Sequence, residues 1–438
     1  MRTKLLTILS ILLIFIGCSK EINNTKDNSE VHLKATYTLK VNLSSTLRSV
    51  THCATGALYG VTEDIPVDIA GLIAPLKPCV YTQPAMVGSG HQQPSGAAIT
   101  VSGRLTSTTG QVMIRLADIC PGWPYNWPGS SSWTSQVTSV INSKKSSGRS
   151  NYYGYEIWNE PPGTWQTAYG DWNTVLWKPT YNLIRSLDAG AKIVGPSFSY
   201  YDHTRMSNFL TFCKSNNCLP DVVCWHELCC GSGGIPGHIS DYRSLETSLG
   251  ISAKLISINE YCHPTHNYEG CPGASAPFIA KFERNKVSSA CISWWFTSLP
   301  GRLGSLITSS RQKGGGWWFY KWYGDMTGNM VSTTPPNDNS DGIDGFACLD
   351  GTAKYASICL GGNNTGTVNV VISGIPSSFG SKVNAKIEYV PWSSKETAVT
   401  GTTTVSTTLY TVSGGTITVP VNVTSTLYGY RVYVTPGS

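Results

Sequence analysis

The stretch Tyr155-Glu-Ile-Trp-Asn-Glu-Pro161 decides the fold, and Leu255-Ile-Ser-Ile-Asn-Glu-Tyr261 repeats its pattern one hundred residues later. In both stretches a short apolar run ends in the pair Asn-Glu. Apolar runs of this length with polar boundaries are typical of buried strands. Barrel enzymes carry their functional side chains at the carboxyl ends of parallel strands. The two stretches therefore predict two strand ends that bring Glu160 and Glu260 to one site.

Other short apolar runs flank these stretches, with helix-length intervals between them. They cover residues 57–61, 111–116, 192–195, 221–225 and 290–295. In the intervals, residues 171–187 and 205–214 have apolar spacings of three to five, which indicate helices. Repeated strand–helix units form parallel sheets, and about eight units close a barrel. We therefore predict an α/β fold, a (β/α)8 TIM barrel over residues 51–330.

The composition of the chain changes near residue 330. All but one of the fourteen Trp lie between Trp123 and Trp322, whereas the remaining chain is rich in Thr, Val, Ser and Gly. Alternating runs bounded by turn residues predict antiparallel strands there, at residues 367–372, 382–389, 416–423 and 428–434. We predict a C-terminal antiparallel β-sandwich over residues 331–438, joined by a strand from residues 19–50.

Composition and charge exclude several classes of protein. The 438 residues are 40% hydrophobic and 13% charged, which fits neither a disordered chain nor a coiled coil. The formal net charge is +6. Without Arg2 and Lys4, which lie in the leader described next, 30 basic and 26 acidic residues remain. We therefore expect no nucleic-acid partner, because the chain has no basic stripe.

The N-terminus predicts export. Arg2 and Lys4 precede an apolar run at residues 5–16, which is typical of a secretory signal. Phe15-Ile-Gly-Cys18 resembles a bacterial lipobox, in which the Cys is lipidated and becomes the new N-terminus. We predict a signal peptide with a lipobox at residues 1–18 and a polar tether after it. The mature protein is then either lipid-anchored in the cell envelope through Cys18 or secreted.

The fourteen Cys predict disulfides, because export leads to an oxidising compartment. Three pairs lie close in sequence: Cys213/Cys218, Cys262/Cys271 and Cys348/Cys359. Spacing does not fix the connectivity of these pairs. Soft metal ligands also cluster at four positions: Cys224, His226, Cys229 and Cys230. No CxxC pair at zinc-finger spacing accompanies them, so we predict no metal site.

Two carboxyl groups at the mouths of apolar strands can cleave a glycosidic bond together. One protonates the leaving oxygen while the other, ionised, attacks the anomeric carbon. The competing interpretation makes Glu160 and Glu260 structural carboxylates at helix N-termini, where negative charge is stabilised. Their shared position at strand ends favours the catalytic interpretation.

Asn159-Glu160-Pro161 resembles the acid/base signature of clan A glycoside hydrolases, which are (β/α)8 barrels. Four further matches follow in the order of strands five to eight: Ile193-Val-Gly-Pro-Ser197, Val222-Val-Cys-Trp-His-Glu227, Ile256-Ser-Ile-Asn-Glu260 and Cys291-Ile-Ser-Trp-Trp295. The set is most similar to glycoside hydrolase family 39, with families 79 and 51 as relatives, over roughly residues 58–323. The chain departs from this pattern in its many Cys, in the Cys-Cys after His226 and in the Trp/Pro-rich loop at residues 120–133.

The resemblance implies a retaining mechanism with two different glutamate roles. Glu160 would be the acid/base, with a raised pKa, and Glu260 the ionised nucleophile, with carboxyl groups about 5–5.5 Å apart. Asn159 would bond the sugar 2-hydroxyl, and helix capping is its alternative role. Arg115 is expected to pair with Glu260 and keep its pKa low, or else to form a salt bridge on an outer helix.

Five aromatic residues complete the predicted substrate site. His226 can bond a sugar hydroxyl or hold a carboxylate, unless it is a hydrogen-bonded core residue. Of Trp294 and Trp295, one should stack on the sugar, because adjacent strand residues point to opposite faces. Trp123 and Tyr261 are further candidates, with core packing as the alternative for Trp123.

These observations predict an exported retaining glycoside hydrolase that acts on an extracellular polysaccharide or oligosaccharide. It would cleave O-glycosidic bonds by a two-glutamate double displacement and would need no cofactor. The alternative is a catalytically inactive carbohydrate-binding or surface adhesion protein on the same fold. The intact pair of Glu160 and Glu260 speaks against that alternative.

Overall fold

A computed structural model describes residues 35–293 and 300–437. The predicted leader with Cys18 and the predicted sugar-stacking residues Trp294 and Trp295 lie outside this range. The strands of the described chain are β1 (Thr36–Ser49), β2 (Gly56–Leu58), β3 (Val80–Pro84), β4 (Gln111–Arg115), β5 (Tyr152–Glu156), β6 (Ile193–Phe198), β7 (Val222–Glu227), β8 (Leu255–Tyr261), β9 (Ser289–Ile292), β10 (Asn329–Thr334), β11 (Asp344–Asp350), β12 (Tyr355–Gly361), β13 (Gly366–Ser373), β14 (Lys382–Val390), β15 (Thr403–Thr411), β16 (Ile417–Val423) and β17 (Gly429–Pro436). Its α-helices are α1 (Ala98–Arg104), α2 (Ser130–Ser146), α3 (Pro161–Thr164), α4 (Lys178–Leu187), α5 (His203–Ser215), α6 (Ile235–Ser248), α7 (Pro272–Arg284) and α8 (Gly315–Gly324).

Eight parallel strands, β2 to β9, close a barrel, so the predicted TIM barrel is confirmed. Nearly all residues of these strands are buried. Strands covered on both faces form near-continuous apolar runs, which is why the sequence reveals most of them. The sequence analysis missed β3, whose Thr82, Gln83 and Pro84 interrupt the apolar pattern although all three are buried.

The remaining strands form one nine-stranded sheet around a second core, which confirms the predicted sandwich domain. Strand β1 joins it as predicted, and lies between β10 and β13. One detail differs from the prediction: β1 runs antiparallel to β10 but parallel to β13, from Thr36 opposite Thr367 to Asn42 opposite Ser373. The sheet is therefore mixed at this position.

Helix α7 connects the barrel to the nine-stranded sheet by a buried ion-pair cluster. Lys281 Nζ lies 2.9 Å from one carboxylate oxygen of Asp344, and Arg284 Nη2 lies 2.6 Å from the same oxygen. The residues from Ala35 onward form one compact unit. Barrel and sheet therefore share an interface that depends on paired charges, which are costly to separate when buried.

The thirteen Cys of the described chain are free thiols, so the predicted disulfides are not confirmed there. The Cys262 thiol donates to the carbonyl of His263, and the Cys271 thiol to that of Leu427. Cys348 lies opposite Ser357 rather than Cys359 in the strand pairing. Cys213 and Cys218 are both buried and free, and the Cys218 N–H donates to the Cys213 carbonyl over 2.9 Å.

The described residues include neither a membrane-spanning helix nor a cluster of metal ligands. Across residues 35–293 and 300–437, none of the helices combines the length and the apolar character that crossing a bilayer requires. Within that part of the chain, no group of three or more His, Cys, Asp or Glu side chains is placed to hold a metal ion.

Candidate active site

Predicted site residues from different strands surround one cavity at the carboxyl ends of the barrel strands. The cavity has a volume of about 240 Å³. Its described lining consists of Leu58, Tyr59, Gln92, Gln93, Arg115, Trp123, Tyr125, Asn159, Glu160 and Glu260. Arg115 ends β4, Glu160 follows β5, and Glu260 is the penultimate residue of β8. The barrel thus joins residues that are far apart in sequence, as the strand-end pattern predicts.

A tight turn aims Glu160 at the cavity. Glu160 has a left-handed backbone (φ 52°), and its N–H donates to the Ser197 carbonyl over 2.8 Å. Pro161 then begins helix α3 at a position where its missing N–H costs nothing. Ser197 is left-handed as well (φ 61°). Left-handed non-glycine residues cost about 1–3 kcal/mol each and concentrate at functional sites.

The imidazole of His226 lies between the two glutamates. Its Nδ1 is 2.9 Å from Glu160 Oε1, and its Nε2 is 3.6 Å from Glu260 Oε1. The His226 side chain has no solvent exposure, and that of Glu260 only 6%. His226 is therefore a buried, hydrogen-bonded residue that holds the Glu160 carboxyl and lies next to Glu260, while its Nε2 is 3.2 Å from Ser197 Oγ.

Arg115 pairs with two carboxylates in the floor of the cavity. Its Nη1 is 2.8 Å from Glu260 Oε1, and its Nε donates to Glu156 Oε2 over 3.0 Å. The predicted pair with Glu260 is present, and the alternative salt bridge on an outer helix is wrong because the Arg115 side chain is buried inside the barrel. The Nη2 of Arg115 has no hydrogen-bond partner among the described residues.

Glu156 anchors the other side of Arg115, and the sequence analysis did not identify it. Its Oε1 accepts from Ser197 Oγ over 2.6 Å and from Asn259 Nδ2 over 2.8 Å. Glu156 is completely buried. The sequence did offer one indication of its role: Glu156 is an acidic residue within a predicted buried strand, and a buried charge requires a partner.

The directions of the pKa shifts differ from those expected from the sequence. Burial raises the pKa of Glu260 against the opposing effects of His226 and Arg115. Burial also acts to raise the pKa of Glu160, but its hydrogen bond to His226 and the nearby positive charges lower it overall. The expected raised pKa of Glu160 and low pKa of Glu260 are therefore wrong for the free protein.

The imidazole of His226 is the third titratable group of the site, beside Glu160 and Glu260. Burial disfavours the charged imidazole, yet Glu260 and Glu160 together raise the pKa of His226. Groups this close titrate as one cluster, so the proton belongs to the Glu160–His226 pair rather than to either residue. The pair can keep a proton beside the cavity while Glu260 faces two cations.

Asp118 is a second buried carboxyl group that the sequence analysis missed. It accepts hydrogen bonds from Tyr59 over 2.8 Å and from Tyr125 over 3.0 Å, and both tyrosines line the cavity. Burial raises the pKa of Asp118 to about 7. Asn159 Nδ2 in turn lies 3.4 Å from the Tyr125 hydroxyl. Asp118 thus holds two tyrosines of the cavity wall in place, a role that no local sequence motif predicts.

The other predicted binding residues have different positions. Asn159 is 3% exposed and lines the cavity, and its side chain does not cap α3. Trp123 is 53% exposed at the rim, with its ring edge-on to Tyr125 at 5.1 Å. The prediction for Tyr261 is wrong: its hydroxyl donates to the Ala54 carbonyl and contacts the Tyr320 hydroxyl. It follows Glu260 directly on a strand and therefore points to the opposite face.

Comparison with known proteins assigns the chain to a class of enzyme. It is 50% identical to N2152 from Neocallimastix frontalis, with a TM-score of 0.90 over 92% of this chain and 100% of that one. Two curated relatives come from Bifidobacterium. The 3-O-beta-L-arabinopyranosyl-alpha-L-arabinofuranosidase of Bifidobacterium pseudocatenulatum is 27% identical over 92% of this chain and 48% of its own length. The 3-O-alpha-D-galactosyl-alpha-L-arabinofuranosidase of Bifidobacterium longum subsp. longum is 30% identical over 64% of this chain and 25% of its own.

The chain is homologous to glycoside hydrolases. The predicted enzyme class and the resemblance to family 39 are thereby confirmed. The GH39 enzyme of Xanthomonas axonopodis pv. citri has the same fold, with 14% identity and a TM-score of 0.66 over 94% of this chain and 100% of that one. The sequence of this chain matches no model of a known protein family. The chain spans about half the length of one curated relative and a quarter of the other.

Proposed function

We propose that this glycoside hydrolase is a retaining α-L-arabinofuranosidase whose substrate carries a further sugar on O3 of the arabinofuranose. The observation that carries the mechanism is the contact of one imidazole with both glutamates, at 2.9 Å and 3.6 Å. The names of both curated relatives support the substrate, since each combines a 3-O-glycosyl group with an α-L-arabinofuranosidase. We also propose that the protein is exported, on the basis of the N-terminal signal pattern.

In the first step Glu260 attacks the anomeric carbon and displaces the leaving oxygen. Arg115 and His226 stabilise the Glu260 carboxylate against the cost of burial until the bond forms. As the Glu260 charge is consumed in an ester, the imidazolium of His226 loses a neighbouring anion and becomes a stronger acid. Its proton then passes to Glu160 over the 2.9 Å contact and from Glu160 to the leaving oxygen.

In the second step Glu160 acts as the base. It takes a proton from a water molecule that attacks the glycosyl ester and releases Glu260 with retained configuration. The freed Glu260 carboxylate again favours a charged His226, so the proton gained from water returns to the Glu160–His226 pair. Asp118 keeps Tyr59 and Tyr125 in place beside the reacting sugar throughout.

Rescue by azide tests the two glutamate roles. Glu260→Ala removes the nucleophile, so azide should attack directly and yield a glycosyl azide of inverted configuration. Glu160→Ala leaves the nucleophile, so azide should intercept the ester on aryl glycosides and yield the retained configuration. Each loss without azide should reach at least about 10²–10⁴-fold in kcat. Near-normal rates in both variants would overturn the proposal, and exchanged configurations would reverse the two roles.

Matched substrates test the specificity. Aryl α-L-arabinofuranosides with and without a pyranosyl group on O3 differ only in the outer sugar. The proposal predicts a higher kcat/KM for the 3-O-glycosylated substrate and release of a disaccharide, identified by chromatography of the products. If the unsubstituted arabinofuranoside is cleaved equally well, the O3 specificity is wrong while the retaining mechanism stands.

A further inference from the structure

The Cys-Cys pair after β7 lies outside the glycosidase chemistry and has a geometry of its own. Cys229 Sγ and Cys230 Sγ are 2.9 Å apart. Both residues are exposed, whereas the other Cys of the described chain are buried or half-buried. Two thiols in direct contact and open to solvent form a vicinal dithiol that an oxidant can reach, and disulfide formation requires both proximity and access.

The loop that carries the two thiols is fixed at both ends. On one side Glu227 Oε1 accepts from Trp225 Nε1 over 2.7 Å and contacts His238 Nδ1 at 2.8 Å. On the other side the Ser232 N–H and hydroxyl both donate to Asp341 Oδ1, over 2.5 Å and 2.8 Å. Few residues lie between these anchors. The anchors therefore limit the movement of the backbone that carries the two sulfur atoms.

Gly231 packs the loop closely against the neighbouring turn. Its backbone is left-handed (φ 71°), and a Cβ at this position would lie 2.2 Å from Asp341 Oδ2. Only glycine meets both demands at once. The residue next to Cys230 is thus fixed by its surroundings, which further limits the movement of the thiol pair.

We propose that Cys229 and Cys230 form a redox-modification site, a vicinal dithiol that a small-molecule disulfide oxidises to a cyclic disulfide. Burial and the contact with the Cys230 sulfur raise the pKa of Cys229 to about 11, which disfavours the Cys229 thiolate as the first nucleophile. The Cys230 sulfur, as its thiolate, attacks one sulfur of the disulfide, forms a mixed disulfide and expels one thiolate. The Cys229 thiolate then attacks the Cys230 sulfur, closes the ring and expels the second thiolate. The two protons of the dithiol end on the two small thiols, and the oxidant is reduced by the two electrons that the protein loses.

The cyclic disulfide between Cys229 and Cys230 should be easily reduced. Consecutive Cα atoms are about 3.8 Å apart across a trans peptide, below the 4.4–6.8 Å that most disulfides span. A ring between neighbouring residues is therefore strained, and strained, exposed disulfides are the readily reduced ones. The site should be oxidised outside a reducing cytosol and reopened by a mild dithiol reductant.

Intact-mass and peptide analysis of the native protein tests this site. The reduced protein is incubated with oxidised glutathione, quenched with acid, alkylated and digested. The peptide with Cys229 and Cys230 should be lighter by two hydrogen atoms and resist alkylation at both positions. Dithiothreitol should restore full alkylation at both. Cys79→Ser, which removes a half-buried thiol elsewhere, should give the same result as the parent protein.

Single substitutions separate ring closure from simple thiol modification. Cys229→Ser and Cys230→Ser each leave one exposed thiol, which can end only as a stable mixed disulfide with glutathione. The parent protein should carry no such adduct on this peptide. The proposal is overturned if the parent accumulates glutathione adducts at these positions, or if both thiols remain fully alkylated after the oxidant. Activity of the single variants should match the parent, because neither thiol lines the described catalytic cavity.

Discussion

Replacing His226 by Asn tests the proton store between the two glutamates. The substitution removes a titratable group that lies 2.9 Å from Glu160 and 3.6 Å from Glu260. Hydrogen bonds to charged groups contribute about 1.5–3 kcal/mol. If that energy is lost from the transition state, kcat/KM should fall about 10- to 100-fold, at about 1.4 kcal/mol per factor of ten. Initial rates on an aryl glycoside between pH 4 and pH 9 measure both the loss and the pH profile.

The pH range over which His226→Asn is active should be narrower than that of the parent, at both its acid and its alkaline limit. His226 lowers the pKa of Glu260, so its removal raises that pKa and moves the acid limb to higher pH. Glu160 then holds the catalytic proton alone. A carboxyl group has an ordinary pKa of 4.5 against 6.5 for an imidazole, so the alkaline limb should move to lower pH.

A matched substitution makes this test specific. His238→Asn removes a histidine that contacts Glu227, away from both candidate catalytic carboxyls, and should leave the profile unchanged. A parent-like pH profile for His226→Asn would refute the assignment of the proton to the Glu160–His226 pair. A lower rate at every pH with unchanged limbs would assign His226 a purely structural role.

Three further substitutions test the cavity and its supports. Trp123→Ala should raise KM about tenfold, because the Trp123 ring lines the cavity. It should change Tm little, because Trp123 is 53% exposed. Michaelis kinetics and thermal unfolding measure the two effects. Arg115→Gln should lower the free energy of unfolding by about 3–5 kcal/mol, because Glu156 loses its buried cation. Adding Glu156→Gln should restore part of the lost free energy of unfolding, and urea titrations of both variants measure these changes. Asp118 has a pKa of about 7 in the folded state against an ordinary 3.8. The parent should therefore lose roughly 3–4 kcal/mol of stability relative to Asp118→Asn as the pH rises from about 4 to about 8, and little more above that pH. A pH-independent difference in unfolding free energy between these two proteins would contradict the buried ionisation.

The sequence reveals the barrel where burial is uniform and conceals it where polar residues enter the interior. The runs around Glu160 and Glu260 are apolar because both faces of those strands are covered, so they could be recognised. Strand β3 contains Thr82 and Gln83 in buried positions, and Gln83 Nε2 donates to the carbonyls of Val61 and Gly96. The sequence analysis also missed strand β15, for the opposite reason. Most of its residues are exposed, so its sequence shows no alternation of apolar and polar residues.

The site could be predicted where its residues lie at strand ends, and not where contacts cross the barrel. Glu160, Glu260 and Arg115 were found from local patterns, and their chemical roles stay predictions for the experiments above. Asp118 and Glu156 depend on partners from other strands and loops, which local spacing does not show. The pKa directions were wrong for the same reason, because they follow from the position of His226 between the glutamates.

The place of β1 in the sheet has a consequence for biosynthesis. This strand leaves the ribosome before the barrel, yet both its neighbours, β10 and β13, are made after it. Ser49 pairs with Asn329, 280 residues later, which takes about 15–60 s to translate at about 5–20 residues per second. During that interval both edges of a fourteen-residue strand lack their native partners, and unpaired edges recruit other chains. Slow translation and truncated products should therefore favour aggregation through residues 36–49, and the barrel is best expressed together with the complete sheet.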